Sequence, residues 1–184
     1  MIGTKNIAFG FLYLVLTAAL GPYMVTNMFP DYFEAQQARQ SAVGELQSLQ
    51  MSNFERDLEP LGADEIARTN TRAILRLSGQ VNTRAAIDEM KGAHAHGNLE
   101  AVLNILAGFA LCFMAAPVLL KHAISWIFIA GALLHSGALY LRAFGVGWAG
   151  SVLGTGIGPL LILLGLLLAG VAAAVWFRGE TVRD

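Results

Sequence analysis

The sequence predicts an all-α integral membrane protein: four transmembrane helices running up-down-up-down, with a helical extramembrane cap between the first and second. Three observations predict it. Of 184 residues, 55% are hydrophobic and only 14% are charged, too few charges for a soluble domain of this size. Four stretches, at about 7–28, 99–120, 123–141 and 151–177, are near the roughly 20 residues needed to cross ~30 Å of hydrocarbon, and Glu100 is their only charged residue. The charge collects instead between the first two, with ten acids and seven bases from Asp31 to Lys91.

The first span follows Lys5 and stays apolar through Tyr23 to Met28. That run is longer than the ~7–15 residues of a signal-peptide core, so it reads as a retained helix. Residues 31–50 are rich in Gln, Ala and Glu, good helix formers. Ser52-Asn-Phe-Glu55 reads as a capping box, and Glu59-Pro60-Leu61-Gly62 as a turn. Residues 63–77 place Ile66, Ala73, Ile74 and Leu77 on one helical face and Arg68, Arg72 and Arg76 on another. A further short helix is expected after Asn82, with Asn98 as the N-cap of the second span. The division is therefore 1–29 first span, 30–97 extracytoplasmic helical segment, 98–178 three further spans and 179–184 tail. The fourth span carries Gly150, Gly154 and Gly158 at four-residue spacing, then Gly165 and Gly170, the pattern by which helices approach closely in lipid. Gly154-Thr-Gly-Ile-Gly158 is not a phosphate loop, since no strand precedes it and no Lys follows.

Short-loop basic residues set orientation. Lys5, Lys121, Arg178 and Arg183 fall on one side of the path, and Lys91 and Arg142 on the other. The expectation is a multi-pass protein of the inner (cytoplasmic) membrane with both termini cytoplasmic and 30–97 outside. The lone Cys112 permits no intramolecular disulfide and no Cys-x-x-Cys motif, and a net charge of −1 argues against nucleic acid as a partner. The expected partners are the bilayer and, through the glycine face, a homo-oligomer or a larger membrane complex.

The chemistry rests on four histidines. His122 sits beside Lys121 in a short turn and reads as solvated. If the second and third spans join by a tight turn near Leu120, residues equidistant from it share a depth. Their outer ends then gather His94, His96, Asn98, Glu100, Tyr140 and Arg142, with Asn104 and His135 deeper and within reach of each other. Two imidazoles and a carboxylate suit copper, iron or zinc, so His94, His96 and Glu100 are the candidate metal ligands. His135, Asn104, Tyr140 and Arg142 are the candidate cofactor-binding residues. Two histidines can also hold a haem. On this register, however, His96 and His135 differ by some nine residues, or ~13 Å along a helix, which disfavours a haem between those two. The bland alternatives are an N-cap at Asn98, a first-turn acid at Glu100 and a simple Asn104–His135 hydrogen bond.

His94-Ala-His-Gly-Asn98-Leu99, opening a span that ends near Pro117, resembles the H-x-H-x-N-L helix opening of small four-span membrane proteins related to the haem-copper oxidase catalytic subunit (subunit I). A first span bearing glycines and Tyr23-Met24, and a third span with a histidine, are also similar. The resemblance covers about 93–142 and implies a redox, haem or metal association carried by His94 and His96. This sequence departs from the pattern with Phe113 where those relatives often place another histidine, and by its long helical cap. Four histidines are also too few for the roughly six of a full oxidase centre.

Two functions follow as expectations. One is a redox-associated membrane protein of the electron-transport kind, binding a metal, haem or quinone near the outer face. The other is a non-catalytic accessory subunit that packs through its glycine face. Whether the chain is an enzyme does not follow from these residues.

Overall fold

The computed structural model describes residues 1–182; Arg183 and Asp184, and with Arg183 one of the charges used for orientation, lie outside the described residues. Helix α1 spans Gly3–Tyr23 and passes through a π-helical turn, Met24–Met28, into α2, Phe29–Met51. Pro22 has no N–H to give the helical ladder, and the wider turn begins two residues later, at Met24. Two-residue strands β1 (Glu55–Arg56) and β2 (Glu59–Pro60) pair antiparallel, and then α3 runs over Ala63–Cys112. Helix α4 (Val118–Ala132) continues through a second π-helical turn, Leu133–Gly137, into α5, Ala138–Ala143. Helices α6 (Gly147–Gly154) and α7 (Ile157–Trp176) complete the order.

Four helices are long and apolar enough to cross a membrane: Gly3–Met51, Ala63–Cys112, Val118–Ala143 and Ile157–Trp176. Several boundaries differ from those read in the sequence. Ser52 ends α2 rather than opening a helix, and Glu59–Pro60 belong to the hairpin. The hairpin is turned by Asp57 and Leu58, which share positive φ. No new helix begins after Asn82 and Asn98 is not an N-cap, because α3 has no proline to interrupt it. The fourth span breaks at Thr155–Gly156, where Gly156 takes φ 66°, a left-handed conformation that suits glycine.

The chain forms two compact units, one of Tyr23–Asp88 and one of Met1–Pro22 with the chain from Glu89 onward. In the smaller unit the side chains of Ala42, Leu49, Thr69, Gln80 and Ile87 are buried, while Ile74, Leu75, Leu77 and Val81 stay exposed. Arg56 pairs with Glu65, and Arg72 lies 3.6 Å from Glu45.

In the larger unit, α1 and α3 meet through glycine. A Cβ on Gly10 would lie 2.6 Å from the Ala101 carbonyl, and one on Gly108 would lie 2.6 Å from that of Gly3. Helix α7 packs on α4 and its π-turn: a Cβ on Gly131 would lie 2.8 Å from Ile162, and one on Gly158 would lie 2.6 Å from the His135 backbone nitrogen. Gly158 and Gly165 therefore face neighbours, but Gly150, Gly154 and Gly170 have nothing within 4 Å. The expected continuous packing face is limited to its middle. The C-terminus of α7 is strapped to the α3–α4 connection, where Ala115 N–H donates to Trp176 O (2.8 Å) and Arg178 N–H to Phe113 O (2.8 Å).

Candidate functional site

Three polar groups lie between the helices of the larger unit, two of them centred on fully buried side chains and one part-buried. The deepest is structural. Asn6 Nδ2 donates to Asn104 Oδ1 and to the Ser125 carbonyl, both at 3.0 Å, and Ser125 Oγ donates to Asn6 Oδ1. Asn104 Nδ2 donates to the carbonyls of Glu100 (3.0 Å) and Phe128 (3.3 Å). All three side chains are fully buried, and each polar group has a partner, as an apolar interior requires. Asn104 thus bonds to Asn6 and α4; the expected Asn104–His135 pair does not form.

The second group fixes His94. Its Nδ1–H donates to the Thr17 carbonyl (2.7 Å), and its Nε2 accepts from Asn98 Nδ2 (3.2 Å). Asn98 Oδ1 in turn accepts from Thr17 Oγ1 at 2.7 Å. Both ring nitrogens are committed to the protein, so His94 clasps α1 to α3.

The third group is centred on Glu100, which is only 2% exposed. Its Oε1 accepts from His135 Nδ1–H at 2.5 Å. Its Oε2 accepts from Ser136 Oγ (2.5 Å) and from the Ser136 backbone N–H (3.3 Å). Ser136 Oγ also lies 2.8 Å from the Tyr13 hydroxyl. Since the serine proton goes to the carboxylate, Tyr13 is the donor, and a chain runs Tyr13, Ser136, Glu100, His135. The π-helical turn makes this possible. A π-turn takes an amide out of the α-helical ladder, and here two successive residues, His135 and Ser136, reach the same carboxylate.

The exposed ring of His96 packs against that of His135, centroid to centroid 4.6 Å. His96, Glu100 and His135 each present one donor atom, and those atoms all lie within 4.8 Å of one another. This overturns the ~13 Å of depth expected between the two histidines. The error lies in the hairpin centre. The turn is Phe113–Pro117, not Leu120, so His96 faces His135 and Glu89 faces Arg142, both pairs being symmetric about Ala115–Ala116.

The remaining candidates stand apart. Arg142 donates to Glu89 at 3.1 Å on the exposed surface. The Tyr140 hydroxyl is buried over Gly97 with Thr17 as its polar neighbour, and it completes no hydrogen bond among the described residues. His122 is exposed on α4, whereas Lys121, expected in a turn, is buried within that helix. Tyr13, Ser136, Asn6 and Ser125 were missed by sequence reasoning. Hydroxyls and amides inside apolar helices were the available signal, but nothing in their spacing pairs them.

Comparison with protein-family models, curated proteins and solved structures finds no match to this chain.

Proposed function

We propose that the chain is a redox-associated integral membrane protein that holds a transition metal at His96, Glu100 and His135. One observation carries the reading: three donors from two helices already lie within 4.8 Å of one another, with the carboxylate also held by Ser136. A metal held by all three would replace the proton between His135 Nδ1 and Glu100 Oε1, while Ser136 would orient the carboxylate through its other oxygen. Three bonds of about 2.0–2.2 Å require the His135–Glu100 pair, 2.5 Å apart, to open slightly and the exposed His96 to close in. Two nitrogens and one carboxylate oxygen suit zinc, copper or iron, with positions left for water or substrate. A porphyrin is disfavoured, because two axial bonds of about 2 Å each do not fit between rings 4.6 Å apart. The family relation suggested by His94-Ala-His-Gly-Asn98-Leu99 is retained as a proposal for a metal association, with His96 and not His94 carrying it.

In the proposed orientation both termini are cytoplasmic and the site lies toward the outer face of the inner membrane. Two cationic side chains support it: Lys5 lies over the Trp126 ring at 4.1 Å, and Lys121 is on the same helix as that tryptophan, near its start. Arg178 is bonded to the connection that precedes this helix. The three mark one end of the larger unit, as the positive-inside rule requires of a cytoplasmic end.

Metal analysis of detergent-purified protein after incubation with zinc, iron(II) or copper tests the reading. About one equivalent is expected in the wild type and in His122→Ala, and most of it is lost in His96→Ala and His135→Ala. A wild type that retains no metal, or variants that retain all of it, sinks the proposal. A second reading, a non-catalytic subunit of a homo-oligomer or larger complex, is favoured by the open sides of Gly150, Gly154 and Gly170. It predicts that only assembly changes when those glycines are enlarged.

A further inference from the structure

From Ile66 to Ile87, α3 carries four arginines and no acid. The smaller unit as a whole is acidic, with nine carboxylates against six arginines between Tyr23 and Asp88. The basic stretch is therefore a local feature and not a reflection of overall charge. Arg68, Arg72 and Arg76 recur at four-residue spacing, which sets them along one ridge of the helix. At 1.5 Å per residue the ridge is about 12 Å long, with about 6 Å between successive arginines. All three are exposed. Arg72 lies 3.6 Å from Glu45 of α2, whereas Arg68 and Arg76 have no carboxylate partner among the described residues.

The ridge borders two recesses. With Ala67, Thr71 and Leu75 the arginines line a groove of about 630 Å³, and Leu75 in it is 66% exposed. A smaller recess of about 190 Å³ has Ala38, Ser41 and Ala42 of α2 on one side and Arg72 and Arg76 on the other. Because the two recesses share Arg72 and Arg76, they form one continuous basic face.

Charge complementarity identifies the occupant. A partner helix repeats its side chains at the same 6 Å as these arginines. Carboxylates four residues apart, laid along the ridge, then meet successive guanidinium groups, each able to donate two hydrogen bonds to one carboxylate. Apolar side chains between those acids cover Leu75. Protein interfaces are enriched in Arg and depleted in Lys, and the smaller unit has six arginines and no lysine. A second copy is a poor occupant: α3 against its own counterpart sets arginine against arginine, and no acid recurs at four-residue spacing on the helices of the smaller unit. A bilayer surface is disfavoured too. Helices that lie in the interface join a broad apolar face to their basic one, but here Val43, Ile74 and Leu77 line a separate groove that shares no residue with the basic face.

We infer that this face of the smaller unit docks an acidic amphipathic helix of another protein, with carboxylates four residues apart along Arg68, Arg72 and Arg76. It shares no residue with the proposed metal site, so the two stand or fall separately.

The probe is a fluorescent helical peptide of roughly 20 residues, with Glu at four-residue spacing and Leu between. It is titrated against the full-length protein in phosphatidylcholine nanodiscs and followed by anisotropy. Saturable binding that weakens with added salt is expected. The double variant Arg68→Gln, Arg76→Gln leaves the Arg72–Glu45 pair in place and should bind about tenfold more weakly, two exposed ion pairs being lost. Arg84→Gln, on the same helix but beside Asp88 at 3.6 Å, should bind as the wild type does. A peptide of the same composition with its Glu residues moved off that spacing should also bind about tenfold more weakly. Circular dichroism and gel filtration check that each variant is folded. Absence of saturable binding overturns the proposal. So does equal affinity of wild type and double variant, or equal affinity for the two peptides. If phosphatidylglycerol vesicles bind the nanodisc-held protein through Arg68 and Arg76 while the peptide does not, the face reads lipid phosphate and the assignment to a protein partner fails.

Discussion

His135 Nδ1 donates to Glu100 Oε1 at 2.5 Å, and the carboxylate that receives this proton is almost wholly removed from solvent. A buried carboxylate is tolerable when its lone pairs are met by donors, and removing one partner of such a pair costs about 3–5 kcal/mol. Glu100→Ala should therefore lower the thermal midpoint in detergent sharply, since it strands His135 Nδ1 and the Ser136 backbone N–H, although the Ser136 hydroxyl keeps the Ala132 carbonyl at 3.1 Å. Glu100→Gln keeps an acceptor for one of these but turns an amide N–H toward the other, so an intermediate loss is expected. A Glu100→Ala protein as stable as the wild type would mean that the cluster does not hold α3 to the π-turn.

His94 and His96, two residues apart, should respond in opposite ways. His94 bridges Thr17 and Asn98, so His94→Ala should cost about 1–3 kcal/mol through the unmet partners and leave metal content unchanged. His96 is exposed, so His96→Ala should leave stability within about 0.5 kcal/mol and remove most of the metal. Denaturation midpoints and metal content measured on the same two preparations decide it. If His94→Ala is the one that loses metal at full stability, the ligand assignment is reversed.

The four apolar stretches were legible in the sequence because lipid imposes length and apolarity on every span. The helix-forming residues after Asp31 and after Ala63 also announced their helices. What the residues did not reveal was register. One misplaced turn, Leu120 for Phe113–Pro117, put Glu100 beside Tyr140 and separated His96 from His135. Pro117 was the available marker, since it sits at the N-cap of α4, and proline favours the start of a helix. The π-turn at Leu133–Gly137 has no such marker. It is set by tertiary contacts, among them the close approach of Gly158 to His135, and these draw on residues distant in sequence.

Acidification should release the metal. Imidazole binds a metal only without its second proton, so each ligand histidine exchanges a proton for the ion. Occupancy should be highest at mildly alkaline pH and fall as pH is lowered, with no loss in the opposite direction until hydroxide competes. Titrating a metal-loaded sample against a colorimetric chelator follows the release. Occupancy that is flat from pH 8 to pH 5 would place the metal on groups other than histidine.

Orientation can be read with an impermeant thiol reagent. Cys112 is buried, so the background should be low. Ser78 and Thr181 are both exposed. Ser78→Cys should label in intact cells and Thr181→Cys only after lysis. The opposite pattern turns the protein over and puts His96 on the cytoplasmic side.

The two glycines four residues apart in the fourth span separate the metal reading from the accessory one. A side chain at Gly158 has no room, because its first carbon would meet the backbone of Leu134 and His135 at 2.6–2.8 Å. Gly158→Leu must push α7 away from the π-turn, and overpacking of this kind typically costs about 1–3 kcal/mol. It also shifts His135, so metal content should fall together with the thermal midpoint even though no ligand is changed. Gly154 has nothing within 4 Å, so Gly154→Leu should leave both quantities alone in the isolated chain. If Gly154→Leu instead changes the size of the assembly on a native gel while metal content stays constant, a partner helix uses that side. If Gly158→Leu leaves metal content and stability unchanged, the close approach of α7 to His135 does not hold the site, and the π-turn is set by other contacts.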